Sequence, residues 1–203
     1  MIASQEALDR LRDGNRRFVA GLQSDEAQPH HLQRALTAAR QSPFAIILGC
    51  SDSRVPAEIV FDEGLGDLFV IRVAGNIVAP SQIGSVEFAA SNFATPLVVV
   101  LGHSQCGAIL ATLESLQEST TEEHSENSRS IVGRIRPAIE DLVDAENPED
   151  PDTLCNAAVR ANVKASVDQL EHGSKILKQL IDDGRICVVG AEYSLETGVV
   201  EFL

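Results

Sequence analysis

The sequence predicts an α/β protein with a mostly parallel central β-sheet flanked by helices. Three observations carry this. Runs such as Phe44 to Leu48 and Leu97 to Leu101 are apolar without alternation, as strands buried on both faces are. The segments between such runs repeat apolar residues at three- and four-residue spacing, the helical period. Strand and helix also alternate along the chain, which sets successive strands parallel with helices as crossovers.

The first element is an amphipathic helix over 4–19, where Ala7, Leu8, Leu11, Phe18 and Val19 recur among charges. A short helix covers 31–40. Phe44 to Leu48 is the first strand and ends in Gly49-Cys50. Pro56 suits the first turn of a short helix through Phe61, and Asp67 leads into a strand from Leu68 to Val73. Pro80 to Phe93 reads as a helix. The strongest strand, Leu97 to Leu101, ends in Gly102-His103. Cys106 to Leu116 is helical, 118–128 is a polar loop, and Ile131 to Val143 is a helix with a bend at Pro137. From Thr153 onward Val159, Val163, Val167 and Leu170 keep helical spacing as far as His172-Gly173, where Ser174 caps a further helix through Ile181. Arg185 to Gly190 is a fourth strand, and Val199 to Phe202 pairs back beside it across Glu196-Thr197-Gly198.

No repeat or linker marks a second unit, so the 203 residues are read as one domain. The formal net charge of −14 and the presence of only three lysines argue against nucleic acid and anionic membrane as partners. Between Glu114 and Asp152, twelve acidic side chains face three arginines, the composition of a solvated loop and exposed helix faces. No apolar run is long enough for a transmembrane helix, and the first twenty residues carry charges throughout instead of a signal peptide's apolar block. A cytoplasmic location is expected. Four widely spaced cysteines do not make a disulfide framework in a chain this long and point to thiol or metal chemistry.

Cys50, His103 and Cys106 are the candidate ligands. Thiolate and imidazole are preferred by zinc, and strand ends are where α/β folds place their sites. Taken singly, a cysteine closing an apolar strand is a small buried hydrophobe, and a histidine before a helix is a cap. Together they favour metal, because Gly49-Cys50 and Gly102-His103 both follow buried strands and Cys106 comes three residues after His103 at a helix start. Three ligands leave a fourth position open. Asp52 and Arg54 are two residues apart and can meet in a turn, either as a structural pair or with Asp52 as an acceptor that orients a nucleophile at the metal. Cys155 and Cys187 fall in helix and strand patterns and are expected in the core.

The motifs Cys50-Ser51-Asp52-Ser53-Arg54-Val55-Pro56, Arg72-Val73-Ala74-Gly75-Asn76 and Gly102-His103-Ser104-Gln105-Cys106-Gly107 resemble those of the β-class carbonic anhydrases. The resemblance spans about residues 41–107 and continues more weakly to the carboxyl terminus. It implies one Zn2+ per chain held by Cys50, His103 and Cys106, an Asp52–Arg54 dyad beside it, and reversible hydration of carbon dioxide to bicarbonate by zinc-bound hydroxide. It also implies a homodimer or higher homo-oligomer with the active site at the dimer interface and the amino-terminal helical arm packing on the partner. On this reading 1–40 is the arm, 41–110 the zinc-site core, 111–185 a helical region and 186–203 the terminal strands.

The resemblance is to the plant-like subgroup, whose carbon dioxide pocket implies substrate contacts at Gln41, Phe69, Val73, Phe88 and Gly107, with Phe88 where a tyrosine is frequent. A second subgroup binds inhibitory bicarbonate through Trp, Arg and Tyr. Arg72 and Tyr193 match two of these, but Ile47 stands at the Trp position and the chain has no Trp. An open site without that inhibition is expected. The proton acceptor is not identified among His30, His31, His124 and His172, and buffer is the alternative. Rival readings are hydrolysis of carbon disulfide or carbonyl sulfide at the same ligands, and a purely structural or sensory zinc. A nicotinamide-dependent dehydrogenase is excluded by the lack of a Gly-x-Gly-x-x-Gly after any strand.

Overall fold

In a computed structural model, which describes residues 2–23, 34–35, 37–117, 125–143 and 150–203, five strands form one sheet. They are β1 (Ala45–Gly49), β2 (Leu68–Arg72), β3 (Leu97–His103), β4 (Cys187–Tyr193) and β5 (Val200–Phe202), in the order β2-β1-β3-β4-β5. The first four are mutually parallel and β5 runs antiparallel on β4. The helices are α1 (Ser4–Val19), α2 (Ala57–Val60), α3 (Pro80–Phe93), α4 (Gly107–Gln117), α5 (Glu126–Ile139), α6 (Pro151–Gly173) and α7 (Lys175–Asp182).

The unbroken apolar runs are explained by burial on both sides. Alternate residues of a strand face opposite ways, so Ala45, Ile47, Val99 and Leu101 pack with α1 and α2 while Ile46, Leu48, Val98 and Val100 pack with α3, α6 and α7. Each such Val, Leu or Ile side chain, removed from water, stabilises the fold by about 1.5–3 kcal/mol. A third cluster sits past the carboxyl end of the sheet and joins Cys50 and Cys106 to α4, α5 and α6. Gly102 has a specific cause: a Cβ there would lie 2.5 Å from Val163 Cγ2, so only glycine lets α6 lie this close to β3.

The expected helix over 31–40 lies largely outside the described residues, although Arg34, Ala35 and Thr37 are helical. The polar loop expected over 118–128 is partly helix, because the Ser125 hydroxyl accepts from the Ser128 amide and starts α5 at Glu126, five residues before the expected Ile131. Its remainder, 118–124, lies outside the described residues. Ser174 caps α7 as expected, accepting from the Leu177 amide at 3.1 Å. Strand β4 runs three residues beyond Gly190, since the end of β3 continues to pair with it. Cys155 is buried as expected, but Cys187, the first residue of β4, is exposed, because the side chains that cover β4 begin with the next residue, Val188.

Helix α1 is seated on its own chain. Ala7 and Leu11 are fully buried, and Asn15 donates to the carbonyls of Val60 (3.1 Å) and Gly198 (2.9 Å) while accepting from the Val200 amide (2.9 Å). Arg10 and Arg17 pair with the buried Glu63 and Asp62. Among the described residues no helix is long and apolar enough to cross a membrane.

Candidate metal centre

Strand β1 connects onward to β2 on one side of the sheet, and β3 connects onward to β4 on the other. The chain therefore parts between the carboxyl ends of β1 and β3, the switch point at which open α/β sheets form their crevice. Cys50 follows β1, His103 ends β3, and Cys106 immediately precedes α4. All three are buried, and their ligand atoms lie within 4.8 Å of one another.

The histidine is prepared for coordination. Its Nδ1 lies 2.9 Å from the Ser104 carbonyl oxygen, which can only accept, so Nδ1 carries the proton and Nε2 presents a lone pair. Nε2 is buried and has no hydrogen-bond partner. An orphaned buried polar atom costs about 1–3 kcal/mol, a cost that coordination removes. Zinc at about 2.3 Å from sulfur and 2.0 Å from nitrogen needs tetrahedral donors roughly 3.5–3.8 Å apart, so the cluster closes on it with shifts of about 1 Å. Two sulfurs and an imidazole suit zinc and suit magnesium or calcium poorly. The residues present fit the ion.

Electrostatics at the sulfurs point the same way. The Cys50 thiol is lowered to about 4, chiefly by a hydrogen bond with Cys106, with the backbone amide of Gly75 adding to it. Gly75 N lies 3.4 Å from Cys50 Sγ. Cys106 is raised in turn by sharing its proton with Cys50 and by burial, while the amides of Ala108 and Ile109 at the start of α4 work to lower it.

Beside the cluster, Asp52 accepts from Arg54 three times: from Nε at 2.9 Å, from Nη2 at 2.7 Å and from the backbone amide at 2.9 Å. The Arg54 hydrogen bonds hold the Asp52 carboxyl well below the usual carboxylate range. Asp52 Oδ2 is 4.0 Å from His103 Nε2, close to the ligand set but committed to Arg54. Arg72 donates to the carbonyls of Cys50 (3.0 Å) and Asp52 (2.5 Å), fixing the loop that carries both.

The turn that supplies the Gly75 amide is unusual. Gly75 has φ +66, and a Cβ there would lie 2.8 Å from Ile135 Cδ1. Asn76 has φ +42 and a buried Nδ2 with no partner, so the turn carries a conformational cost of about 1–3 kcal/mol. Two polar side chains of α6 hold it: Asn162 Nδ2 donates to the Gly75 carbonyl at 2.8 Å and Ser166 Oγ to the Asn76 carbonyl at 3.2 Å.

The structure thus brings Cys50, His103, Cys106, Asp52 and Arg54 together. Gly107 opens α4 next to Cys106, and Val73 packs on the cluster that contains both cysteines. Three expected pocket residues lie elsewhere in the chain. Phe69 pairs with Ile46, four residues upstream of Cys50, or roughly 13 Å along the strand. Phe88 packs on Phe69 at a ring separation of 6.2 Å. Gln41 lies against Gly66, at the amino ends of β1 and β2. Of the four histidines considered as proton acceptors, His172 is exposed and sits twenty residues along α6 from Asp152, whose side chain meets Gln105; that is roughly 30 Å of helix, too far for proton transfer within the chain. His30, His31 and His124 lie outside the described residues.

The clamp made by Arg72 and the anchors Asn162 and Ser166 were not identified from sequence as site residues. Their signal was present: Asn162 and Ser166 stand four apart on α6 between Val159, Val163 and Leu170, two polar groups on a buried helix face.

Residues 45–200 match the carbonic anhydrase family model. The chain is similar to a carbonic anhydrase of Mycolicibacterium smegmatis, with 41% identity over 191 residues that make up 94% of this chain and 89% of that protein. Among solved structures it is similar to a β-carbonic anhydrase of Aspergillus fumigatus, with TM-score 0.75, 23% identity and coverage of 98% of this chain and 89% of that one. It is also similar to a tetrameric β-carbonic anhydrase of Sordaria macrospora, with TM-score 0.73, 22% identity and 87% of each chain covered.

Proposed function

The chain belongs to the β-class carbonic anhydrases, and from that premise we propose that Cys50, His103 and Cys106 hold one zinc ion per chain and that Asp52 and Arg54 orient the attack on carbon dioxide. The observation that carries the metal assignment is the buried, unpartnered His103 Nε2 facing two buried sulfurs. When bound, zinc acidifies a water so that a nucleophile is available near neutral pH. Cys50, His103 and Cys106 would supply three donors to the ion.

The remaining steps fall to the chain's own groups. Asp52, ionised and tied to Arg54, can accept a hydrogen bond but not donate one, so its role is to orient the nucleophile. Arg72 keeps the Cys50–Asp52 loop in register with the ligands. Carbon dioxide is small, apolar and uncharged and needs chiefly an apolar wall, for which Val73 stands nearest. Because carbon dioxide is neutral, the formal charge of −14 has nothing to steer and serves solubility.

The rest of the pocket comes from a second copy. Gln41, Phe69 and Phe88 sit at the far end of β1 from Cys50 in one chain, and Phe88 is 52% exposed although it packs on Phe69 and Phe93. A two-fold dimer that covers Phe88 sets one chain's aromatic patch and Gln41 amide against the other's metal site, so that the active site lies at the dimer interface. The tetrameric relative from Sordaria macrospora supports assembly beyond the monomer. Because Ala7 and Leu11 are used within the chain, the arm's contact with a partner falls to the opposite face of α1. With His172 remote, the released proton goes to buffer or to one of His30, His31 and His124. Stopped-flow carbon dioxide hydration on protein of measured zinc content tests this reading.

A further inference from the structure

We propose that Asn162 on α6 is a positioning residue for the metal: through the Gly75 carbonyl it holds the Gly75 amide on Cys50 Sγ and so sets the geometry and donor strength of that thiolate. The inference rests on the zinc reading above and goes beyond its ligand set and dyad.

The chain of contacts is short. Asn162 Nδ2 donates to Gly75 O at 2.8 Å, and Gly75 N, on the other side of the same residue, is 3.4 Å from Cys50 Sγ. The conformation that makes both possible is one the turn does not hold unaided. Gly75 and Asn76 are both left-handed, and the Asn76 side-chain nitrogen is buried without a partner. Ser166, one helical turn further along α6, takes the adjacent Asn76 carbonyl. Asn162 and Ser166 are 3% and 4% exposed, so neither bond competes with water. Two buried polar groups on an apolar helix face, both spent on consecutive carbonyls of one strained turn, are hard to account for by packing alone, since apolar residues would fill that face. What the turn delivers is a single N–H to a ligand sulfur.

A hydrogen bond to a ligating thiolate withdraws electron density from the sulfur and fixes its direction. Removing the anchor lets the amide drift and leaves Cys50 a looser, more electron-rich donor. Outer contacts of this kind change metal affinity by about 10- to 100-fold.

The test uses Co2+ as the probe in the full chain. Asn162→Leu keeps the branched shape, with somewhat larger volume, and removes the donor. Ser166→Ala deletes one hydroxyl on the same turn and is the variant most certain to fold. Wild-type protein is expected to bind one Co2+ per chain with a sulfur-to-cobalt charge-transfer band; absence of that band in wild type overturns the metal reading and this inference with it. Given the band, the proposal expects Asn162→Leu to shift it to lower energy and to weaken Co2+ in chelator competition by about ten-fold, with Ser166→Ala moving both in the same direction by less. If both variants fold and keep the wild-type band and affinity, Asn162 only fills space and the proposal fails. A lower melting temperature without a spectral change counts against it in the same way.

Discussion

Arg54 meets Asp52 as a fork, with Nε 2.9 Å from one carboxylate oxygen and Nη2 2.7 Å from the other. A carboxylate held in this way keeps its charge and its direction, and its nearer oxygen lies 4.0 Å from the metal-facing nitrogen of His103. Replacing Asp52 with Asn leaves the three ligands untouched. Turnover should fall by about 10- to 100-fold while zinc content stays at one per chain. Parallel metal analysis and stopped-flow assays check both halves, and wild-type turnover in Asp52→Asn removes the orienting role.

The same pairing fixes a pH dependence. The folded-state pKa of Asp52 lies below its unfolded value near 4, so its contribution to stability is fully present above about pH 4 and is lost as pH falls through the folded value. Arg54 is exposed, which keeps the contribution small. The gap in melting temperature between wild type and Asp52→Asn should therefore be constant from pH 5 to 9 and shrink in more acid solution. Over the same range Asp52 does not titrate, so an acid limb in the activity profile should survive in Asp52→Asn at the same pH.

Removing a ligand acts on metal and fold together. Cys50→Ser and His103→Ala should each purify with little zinc and melt at lower temperature, and a chelator should move wild type toward them. Zinc at 100 times its dissociation constant stabilises the native state by about 2.7 kcal/mol. Melting curves with and without chelator measure the difference, which should vanish in the variants.

Asn15 joins α1 to Val60, Gly198 and Val200 by three buried hydrogen bonds. Asn15→Ala strands three backbone groups at once, and a loss of about 3 kcal/mol or more is expected from denaturant titration. A loss under about 1 kcal/mol indicates that α1 is not held where the structure places it.

Phe88 is the probe of the shared pocket. Phe88→Asp puts a charge on the exposed aromatic patch, and analytical ultracentrifugation should show dissociation with activity falling in step and zinc retained. A fully active monomer contradicts an active site built between copies.

The ligands and most elements were legible in the sequence for a simple reason: strands buried on both faces are unbroken apolar runs, and those ending in Gly49-Cys50 and Gly102-His103 announce where the sheet opens. What was not legible depends on distance through space. Asn162 meets Gly75 across 87 positions, a contact no local pattern records. Gln41 is nine residues from Cys50 in sequence, yet extended β1 lies between them and carries them to opposite ends of the sheet. Cys187 looked like core because its neighbours are apolar, but it is exposed at the start of β4, although Leu97, its partner on β3, is buried.

The most direct test is stopped-flow hydration of carbon dioxide by wild-type protein titrated from metal-free to one zinc per chain. The account predicts a rate that rises in proportion to bound zinc, saturates at one per chain and disappears with chelator. Protein that holds one zinc per chain and hydrates carbon dioxide no faster than buffer would contradict it.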